Sequence, residues 1–447
     1  MSNAETDATA LRGGAPVEGD RPAGAPRVDV LSAREVPLGG PRAMRVRRTL
    51  PQRERTLIGA WCFADHYGPH QVAVSGGMHM PPHPHTGLQT VSWLFSGEVE
   101  HRDTLGTHAL VRPGEMNLMT GGYGIAHSEV STPNTAVIHG VQLWVALPEE
   151  HRDTARDFQH YVPEPAQVDG AEIRVFLGSL VGRTSPARSF TPLLGAEIVI
   201  EPHVTLTLAV DAAFEHGLLV DSGDVRLIGT VLRPAELGYV PRGADTLTMV
   251  NETHAPARTI LLGGPPFGEE IVMWWNFIGR SHEDMVKARE DWEASSDRFG
   301  VIEDFPGGPL PAPALPNAVI TPRRNPPTSP TKGHTMSKSS TTTAVERVDA
   351  DRRYEILVDG QRAGLTAYRD LGGQRVFFHT EMDEAFAGQG LGPQLVQQAL
   401  VDVRASGMRI IPVCPYVAKF LKRHDEFADI TDPVTPDVLR WLKAQLG

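Results

Sequence analysis

Between residues 28 and about 268, apolar residues come in short runs broken by Gly, Pro, Asp and Asn. Clear examples are 89–95, 136–145, 196–200, 206–210 and 246–250. Short runs with turn residues between them predict a β-sandwich or barrel. Asp221-Ser222-Gly223-Asp224 and Pro113-Gly114-Glu115 are predicted hairpin turns. The period changes at 281–294, where Met285, Ala288 and Trp292 fall on one helical face. A proline-rich stretch then runs from 306 to 344. Its composition builds no core and predicts an extended linker. Met336, followed by a Ser/Thr/Lys run, reads inside it as the start of a once-separate gene. Beyond it, strands are predicted at 354–358, 363–368, 374–381 and 408–412, with an Asp359-Gly360 hairpin turn between the first two. A helix with the core face Leu391, Leu395, Ala399 and Val403 follows a glycine loop, and a second helix starts at 416. Alternating strands and helices make this a small α/β domain.

The chain has 447 residues, enough for two or three domains. Its 44 glycines and 37 prolines favour turns and short strands. A net charge of -12 argues against a general nucleic-acid or membrane-surface binder and leaves small-molecule substrates open. Cys62 and Cys414 fall in different predicted domains, so no disulfide framework is expected and a reducing cytoplasm fits. Residues 1–27 read as a disordered tail without an apolar signal core, and no stretch reaches the length of a membrane span.

Two residue pairs carry candidate chemistry: His83-Pro84-His85 and His127-Ser128-Glu129. On a strand, side chains at i and i+2 share a face, so each pair aims two ligand groups in one direction. If the strands are neighbours, three imidazoles and a carboxylate converge. That donor set suits Fe(II), Mn, Ni, Cu or Zn and leaves an octahedral ion two open positions. The other histidines read as structural. His101-Arg102-Asp103 is expected to be a salt-bridged turn, and His79, His108 and His139 lack paired partners. A second barrel over about 189–263 has only the isolated His203 and His216, so it is expected to hold no metal.

Gly77 with five residues before His83-Pro84-His85, and Gly124 two residues before His127, resemble the two cupin motifs. HPHTGLQTVSWLFSGEVEHRDTLG, RPGEMNLMTGGYGIAHSE, HGVQLWVALP and GGPPFGEEIVMWWNFIGRSHEDMVKAREDW together resemble the pirin family over roughly 28–306. The resemblance implies a mostly β bicupin, with a metal-binding cupin at 28–180 and a degenerate cupin at 181–305. It implies metal ligation by His83, His85, His127 and Glu129, with Glu129 also the candidate catalytic carboxylate. Gln89 stands where many cupins place a glutamate ligand. Several pirins are described as quercetin 2,3-dioxygenases, which implies a flavonol-like substrate that chelates the metal before O2 opens its ring. Phe63, Trp93 and Met119 are candidate pocket walls. Other pirins are non-enzymatic, iron-dependent regulators that bind a protein partner, and this is the alternative reading.

The stretch HTEMDEAFAGQGLGPQLVQQALVDVRASGMRIIPVCPYVAKFLKRHDEF resembles short GNAT-type N-acetyltransferases and defines a domain at 345–447. The resemblance implies acetyl-coenzyme A on the loop Gly388, Gln389, Gly390, Leu391 and Gly392, where free N–H groups at a helix start suit a pyrophosphate. Ala387 departs from the Gln or Arg usual at that position. Glu381 is the candidate base. Cys414 is a candidate acid or acyl carrier, with a small buried residue at a strand end as the equal alternative.

Overall fold

The computed structural model describes residues 27–38, 44–52, 54–303, 305–316, 319–322, 325, 343–358, 361–383, 391–422 and 424–446. It forms two compact units, 1–330 and 331–447, each taken by itself below. The expected tail at 1–26 and the loop residues Gly388, Gln389 and Gly390 lie outside the described residues.

The first unit holds two barrels of the same design, each a seven-stranded sheet facing a four-stranded one. In the first barrel the large sheet runs Asp157–Tyr161, Met116–Thr120, Leu88–Ser96, Val137–Ala146, Trp61–Gln71, Met44–Leu50 and Arg34–Leu38. Its small sheet runs His79–His85, Ile125–Ser131, Val99–Asp103 and His108–Val111. In the second barrel the large sheet is built around Glu215–Ser222, Ala257–Gly264 and Leu194–Ile200, opposite the small sheet centred on Thr246–Val250.

The burial pattern shows where the barrels meet. Thr205–Ala209 alternates, with Leu206 and Leu208 inward and Thr205, Thr207 and Ala209 exposed, as a half-solvated strand should. Leu88–Ser96 and Val137–Ala146 are buried on nearly every residue, because their outer face is covered as well. Trp61, Trp93, Phe176, Leu219, Tyr239 and Ile260 form one apolar core drawn from both barrels. The Trp61 indole N–H donates across it to the carbonyls of Leu194 and Gly263, at 3.1 and 3.2 Å.

Two expectations are corrected here. Asp29–Ser32 pairs with Glu236–Val240, and Ala166–Val168 and Ala171–Leu177 extend the same sheet, so these segments belong to the second barrel. The division expected at 180 therefore falls before Ala166. The stretch after 305 is also not a free linker from its start. Leu310 N–H donates to Pro82 O (2.8 Å), and the Trp292 indole donates to Leu310 O (2.8 Å). Ala312 N–H donates to Glu293 Oε1, and Arg289 donates to Pro313 O. Asn325 accepts from the N–H groups of Thr56 and Leu57 and donates to Leu57 O. Ala312, Leu315 and Ile320 pack against the helix His282–Glu293 in a shared apolar cluster. That helix has the buried face predicted for it, Met285, Ala288 and Trp292, and starts at a Ser281–Asp284 capping box.

The second unit is a five-stranded sheet: Thr343–Val348, Arg353–Val358, Gln361–Leu371, Gln374–Met382 and Arg409–Pro412. The last pair is parallel, so it needs a crossover, and the helix Leu391–Ala405 supplies it. Leu395, Ala399 and Val403 are fully buried on the sheet, as their spacing predicts. The helices Pro415–Leu421 and Pro436–Leu446 follow. The Asp359-Gly360 turn lies outside the described residues, but its flanks Val358 and Gln361 pair.

Candidate metal centre

The two sequence pairs fall on neighbouring antiparallel strands of the first barrel's small sheet, with His127 directly opposite His83 and Ile125 opposite His85. Period-two geometry turns His83 and His85 to one face of their strand and His127 and Glu129 to one face of theirs; the register shifts by one extra residue on the His79–His85 strand, between Met80 and His83. All four side chains are buried. The Nε2 atoms of His85 and His127 are 3.0 Å apart, and the ring centroids of His83 and His127 are 4.4 Å apart. One ligand atom from each of the three histidines lies within 4.8 Å of the others. Glu129 groups within that span with His127 and His101, not with His83 and His85.

Burial decides the charge state of the imidazoles. It lowers His83 to about 4 and holds His85 and His127 well below the usual histidine range, where the neighbouring rings depress them further. Each ring is therefore neutral near pH 7, the form that ligates a metal. His83 Nδ1 lies 2.9 Å from Pro81 O, a contact that puts a proton on Nδ1 and leaves Nε2 bare. Burial lifts Glu129 above the ordinary carboxyl range, and the Ser92 hydroxyl donates to its Oε1 at 3.0 Å. Two imidazoles facing each other at 3.0 Å with no apolar filling between them fit a cation at that point.

The surroundings revise several sequence readings. Phe63 stacks on Trp144 at 4.0 Å and carries the Arg48 guanidinium over its ring at 4.3 Å, whereas Trp144 meets the His85 ring edge-on at 5.2 Å, so it is Trp144 that lies beside the site. Trp93 does not, because it stacks near Phe176 in the core between the barrels. Met119 is buried on the large sheet, in register with Thr90. Gln89 donates to Thr120 Oγ1 and to Arg188 O. His101 and Asp103 are not a turn: they lie on the strand Val99–Asp103, opposite Glu129 and His127. Within the triplet His101 pairs with Asp103 at 3.2 Å, while Arg102 turns to Glu100 at 2.7 Å. His139 is not partnerless either, since it and His66 both contact Asp221 Oδ1, at 2.6 and 2.7 Å. The signal that marks His101 and Asp103 is the same i, i+2 spacing that marks the ligands.

In the second unit, Leu391 and Gly392 open the crossover helix and are buried. A Cβ on Gly392 would come 2.4 Å from the Tyr416 hydroxyl, so the helix start is closely covered there. Glu381 is exposed near the end of its strand, with Oε2 3.2 Å from His379 Nε2. Cys414 is buried in the apolar core and its thiol donates to Thr380 Oγ1 at 3.3 Å.

Two docked β-barrels, one of which gathers three neutral histidines in its interior, define a bicupin with one metal-competent barrel. Residues 43–145 match the pirin family, 195–300 the pirin C-terminal cupin domain, and 353–430 the GCN5-related N-acetyltransferase family. The chain is 44% identical over 287 residues to a putative quercetin 2,3-dioxygenase of Pseudomonas aeruginosa, covering 64% of this chain and 90% of that protein. It is 32% identical to a pirin-like protein of Caulobacter vibrioides, covering 63% and 98%. A solved quercetin 2,3-dioxygenase from Acinetobacter baumannii superposes with a TM-score of 0.62 at 35% identity, covering 65% of this chain and 96% of that one. The chain belongs to the pirin family and carries a GNAT-like domain after its two cupins. The histidine cluster fits the divalent metal site that such relatives imply. No helix among the described residues is long and apolar enough to cross a membrane.

Proposed function

We propose that the first barrel is a dioxygenase centre, with a divalent transition metal held by His83, His85, His127 and Glu129 and a flavonol-like substrate. The observation that carries this reading is the convergence of three buried, neutral imidazoles on one point. The relatives named as quercetin 2,3-dioxygenases supply the reaction class. A bound metal would act as a Lewis acid on chelating substrate oxygens and ease loss of a hydroxyl proton. The chain's own residues do the rest. Trp144, which meets the His85 ring edge-on, offers apolar aromatic surface beside the site. Ser92 fixes the orientation of Glu129, whose carboxylate completes the donor set or takes the hydroxyl proton at an oxygen. Fe(II) heads the candidate metals, followed by Mn, Ni, Cu and Zn.

Turnover of quercetin by the full chain, loaded separately with each metal and followed by carbon monoxide release, tests the proposal. His83→Ala and His127→Ala should each lose most of the bound metal by elemental analysis, along with turnover, while the far-ultraviolet circular dichroism stays native. Metal-loaded wild type that turns over no flavonol would leave the regulatory reading in place. Full metal occupancy in both variants would overturn the ligand assignment.

For the second unit we propose acetyl-coenzyme A binding at the loop ending in Leu391 and Gly392, with Glu381 as the base. The family match and the 15-residue helix that opens there support it. The burial of Cys414 favours packing over acyl transfer. Calorimetric titration of the full chain should show binding that Gly390→Trp abolishes. Equal binding by that variant would place the coenzyme elsewhere.

A further inference from the structure

His101 and Asp103 are not among the four proposed ligands, yet both side chains are buried, and His101 groups with His127 and Glu129. His101 Nδ1 lies 3.4 Å from His127 Nδ1, and His101 Nε2 lies 3.2 Å from Asp103 Oδ2. The other Asp103 oxygen, Oδ1, accepts from the N–H groups of Leu105 (2.8 Å) and Thr107 (3.1 Å). His101 therefore stands behind His127. It meets the ring edge opposite to the one that faces His85.

With one proton on the His101 ring, the hydrogens along this chain have a single consistent arrangement. An ionised aspartate only accepts, so the hydrogen between it and His101 sits on His101 Nε2. A neutral His101 then carries a lone pair on Nδ1. The atom opposite, His127 Nδ1, must supply the hydrogen, which leaves His127 Nε2 bare and pointing at His85. His83 reaches the same tautomer by a different route, through the Pro81 carbonyl. Resting on the metal site proposed above, we propose that Asp103 and His101 are positioning residues that hold His127 in the Nε2-ligating tautomer and so set the affinity of the centre for its metal. Groups behind a ligating histidine orient the ring and raise its basicity, and losing them typically weakens metal binding about 10–100-fold.

Asp103→Asn tests this with little change in shape. The amide oxygen can still accept from Leu105 and Thr107, so the turn is kept. The amide NH2 faces His101 Nε2 and reverses every donor in the chain, which places a hydrogen on His127 Nε2 in the metal's position. Titration of the full-length metal-free protein with Co(II), read by its visible absorption and by competition with a chelator, should show about 10–100-fold weaker binding. The spectrum should also change, and the melting temperature of the metal-free protein should stay close to wild type. His101→Phe removes the chain while filling its volume, and it should weaken Co(II) binding in the same direction should Asp103→Asn fail to fold. Wild-type affinity and spectrum in either folded variant would overturn the proposal. His83→Ala, run in parallel, separates this outcome from failure of the site itself. If His83→Ala loses Co(II) and Asp103→Asn does not, only the role of His101 and Asp103 falls. If His83→Ala keeps Co(II), the ligand assignment falls first.

Discussion

A buried histidine is costly unless its ring nitrogens have partners, and the two barrels treat this cost differently. In the first barrel every such ring adjoins another ring, a carbonyl or a carboxylate. In the second, His216 is buried and neither ring nitrogen has a hydrogen-bond partner. Burial lowers it to about 4, against roughly 6.5 in an unfolded chain. Because the folded value is the lower one, the unfolded chain binds the extra proton first. The stability that a neutral His216 allows is complete above pH 6.5 and is lost as pH falls towards 4. The full window corresponds to about 3 kcal/mol. His216→Phe should flatten the fall in urea-unfolding free energy between pH 7 and pH 4.5, measured on metal-loaded protein so that the ligand histidines do not titrate; an unchanged slope would contradict this. The clustering of His83, His85 and His127 was legible in the sequence because both pairs follow strand period. His101 and Asp103 share that period, but His101-Arg102-Asp103 reads in the sequence as a salt-bridged turn, because one basic residue between a histidine and an aspartate is also turn chemistry. Asp221 was hidden further, because Asp-Ser-Gly-Asp is good turn chemistry. Only the docking of a second barrel, a contact between residues 155 positions apart, buries it beside His66.

Elements with a clear period were the easiest to read. The helix His282–Glu293 and its face, and the crossover helix Leu391–Ala405, follow from spacing alone. The segment after 305 has no period, and its order comes from hydrogen bonds to partners far along the chain, which composition does not encode. Its Leu310 N–H donates to Pro82 O, and Pro82 lies between His83 and Pro81, whose carbonyl meets the His83 ring. Shortening the chain to end at residue 305 should therefore act on the metal strand. It removes Ala312, Leu315 and Ile320 from their cluster with Trp292 and leaves the Trp292 indole without its acceptor. Large-to-small losses at such sites cost about 2–5 kcal/mol, so the melting temperature of this variant should fall by several degrees and its metal affinity should drop. A chain ending at 330 should match the full-length first unit in both. Identical melting and metal binding for the two truncations would show that the segment is only draped on the surface.

At the scale of the first unit, one buried carboxylate ties the barrels together at the edge of their apolar interface. Asp221 of the second barrel receives His66 and His139 of the first on one oxygen, and Arg258 approaches the other at 3.4 Å. Burial alone would raise its carboxyl; the hydrogen bonds from His139 and His66 outweigh that and hold it well below the ordinary aspartate range. Its stabilising contribution is thus present above about pH 3.9 and is lost only as pH falls below that. Burial lowers His66 too, so the clasp begins to weaken earlier, as pH drops below about 6.5. Asp221→Ala leaves the His66 and His139 imidazoles without their shared carboxylate, while Arg258 keeps Glu197 at 3.0 Å, and the loss should cost about 3–5 kcal/mol at pH 7, read by denaturant unfolding. A loss below about 1 kcal/mol would mean the apolar interface alone joins the barrels. The hydrogen bonds of Asn325 are the last described anchors of the first unit, and the strand Thr343–Val348 is the first element of the second. Lys332 and Lys338 fall between them, in a Pro/Ser/Thr-rich sequence. Segments of this composition lack the apolar residues that protect a backbone from proteases. Limited trypsin digestion should cut first at Lys332 or Lys338, giving a larger metal-binding fragment and a smaller one that begins just before Thr343. The basic residues between 280 and 300 lie on or beside the hydrogen-bonded helix His282–Glu293, where even the exposed Lys287 has an ordered backbone and Arg298–Asp291 (2.9 Å) and Arg280–Glu269 pair, and should be cut much later. Mass spectrometry of the first products decides the matter. Early cleavage inside 280–300, with Lys332 and Lys338 intact, would contradict the division of the chain into these two modules.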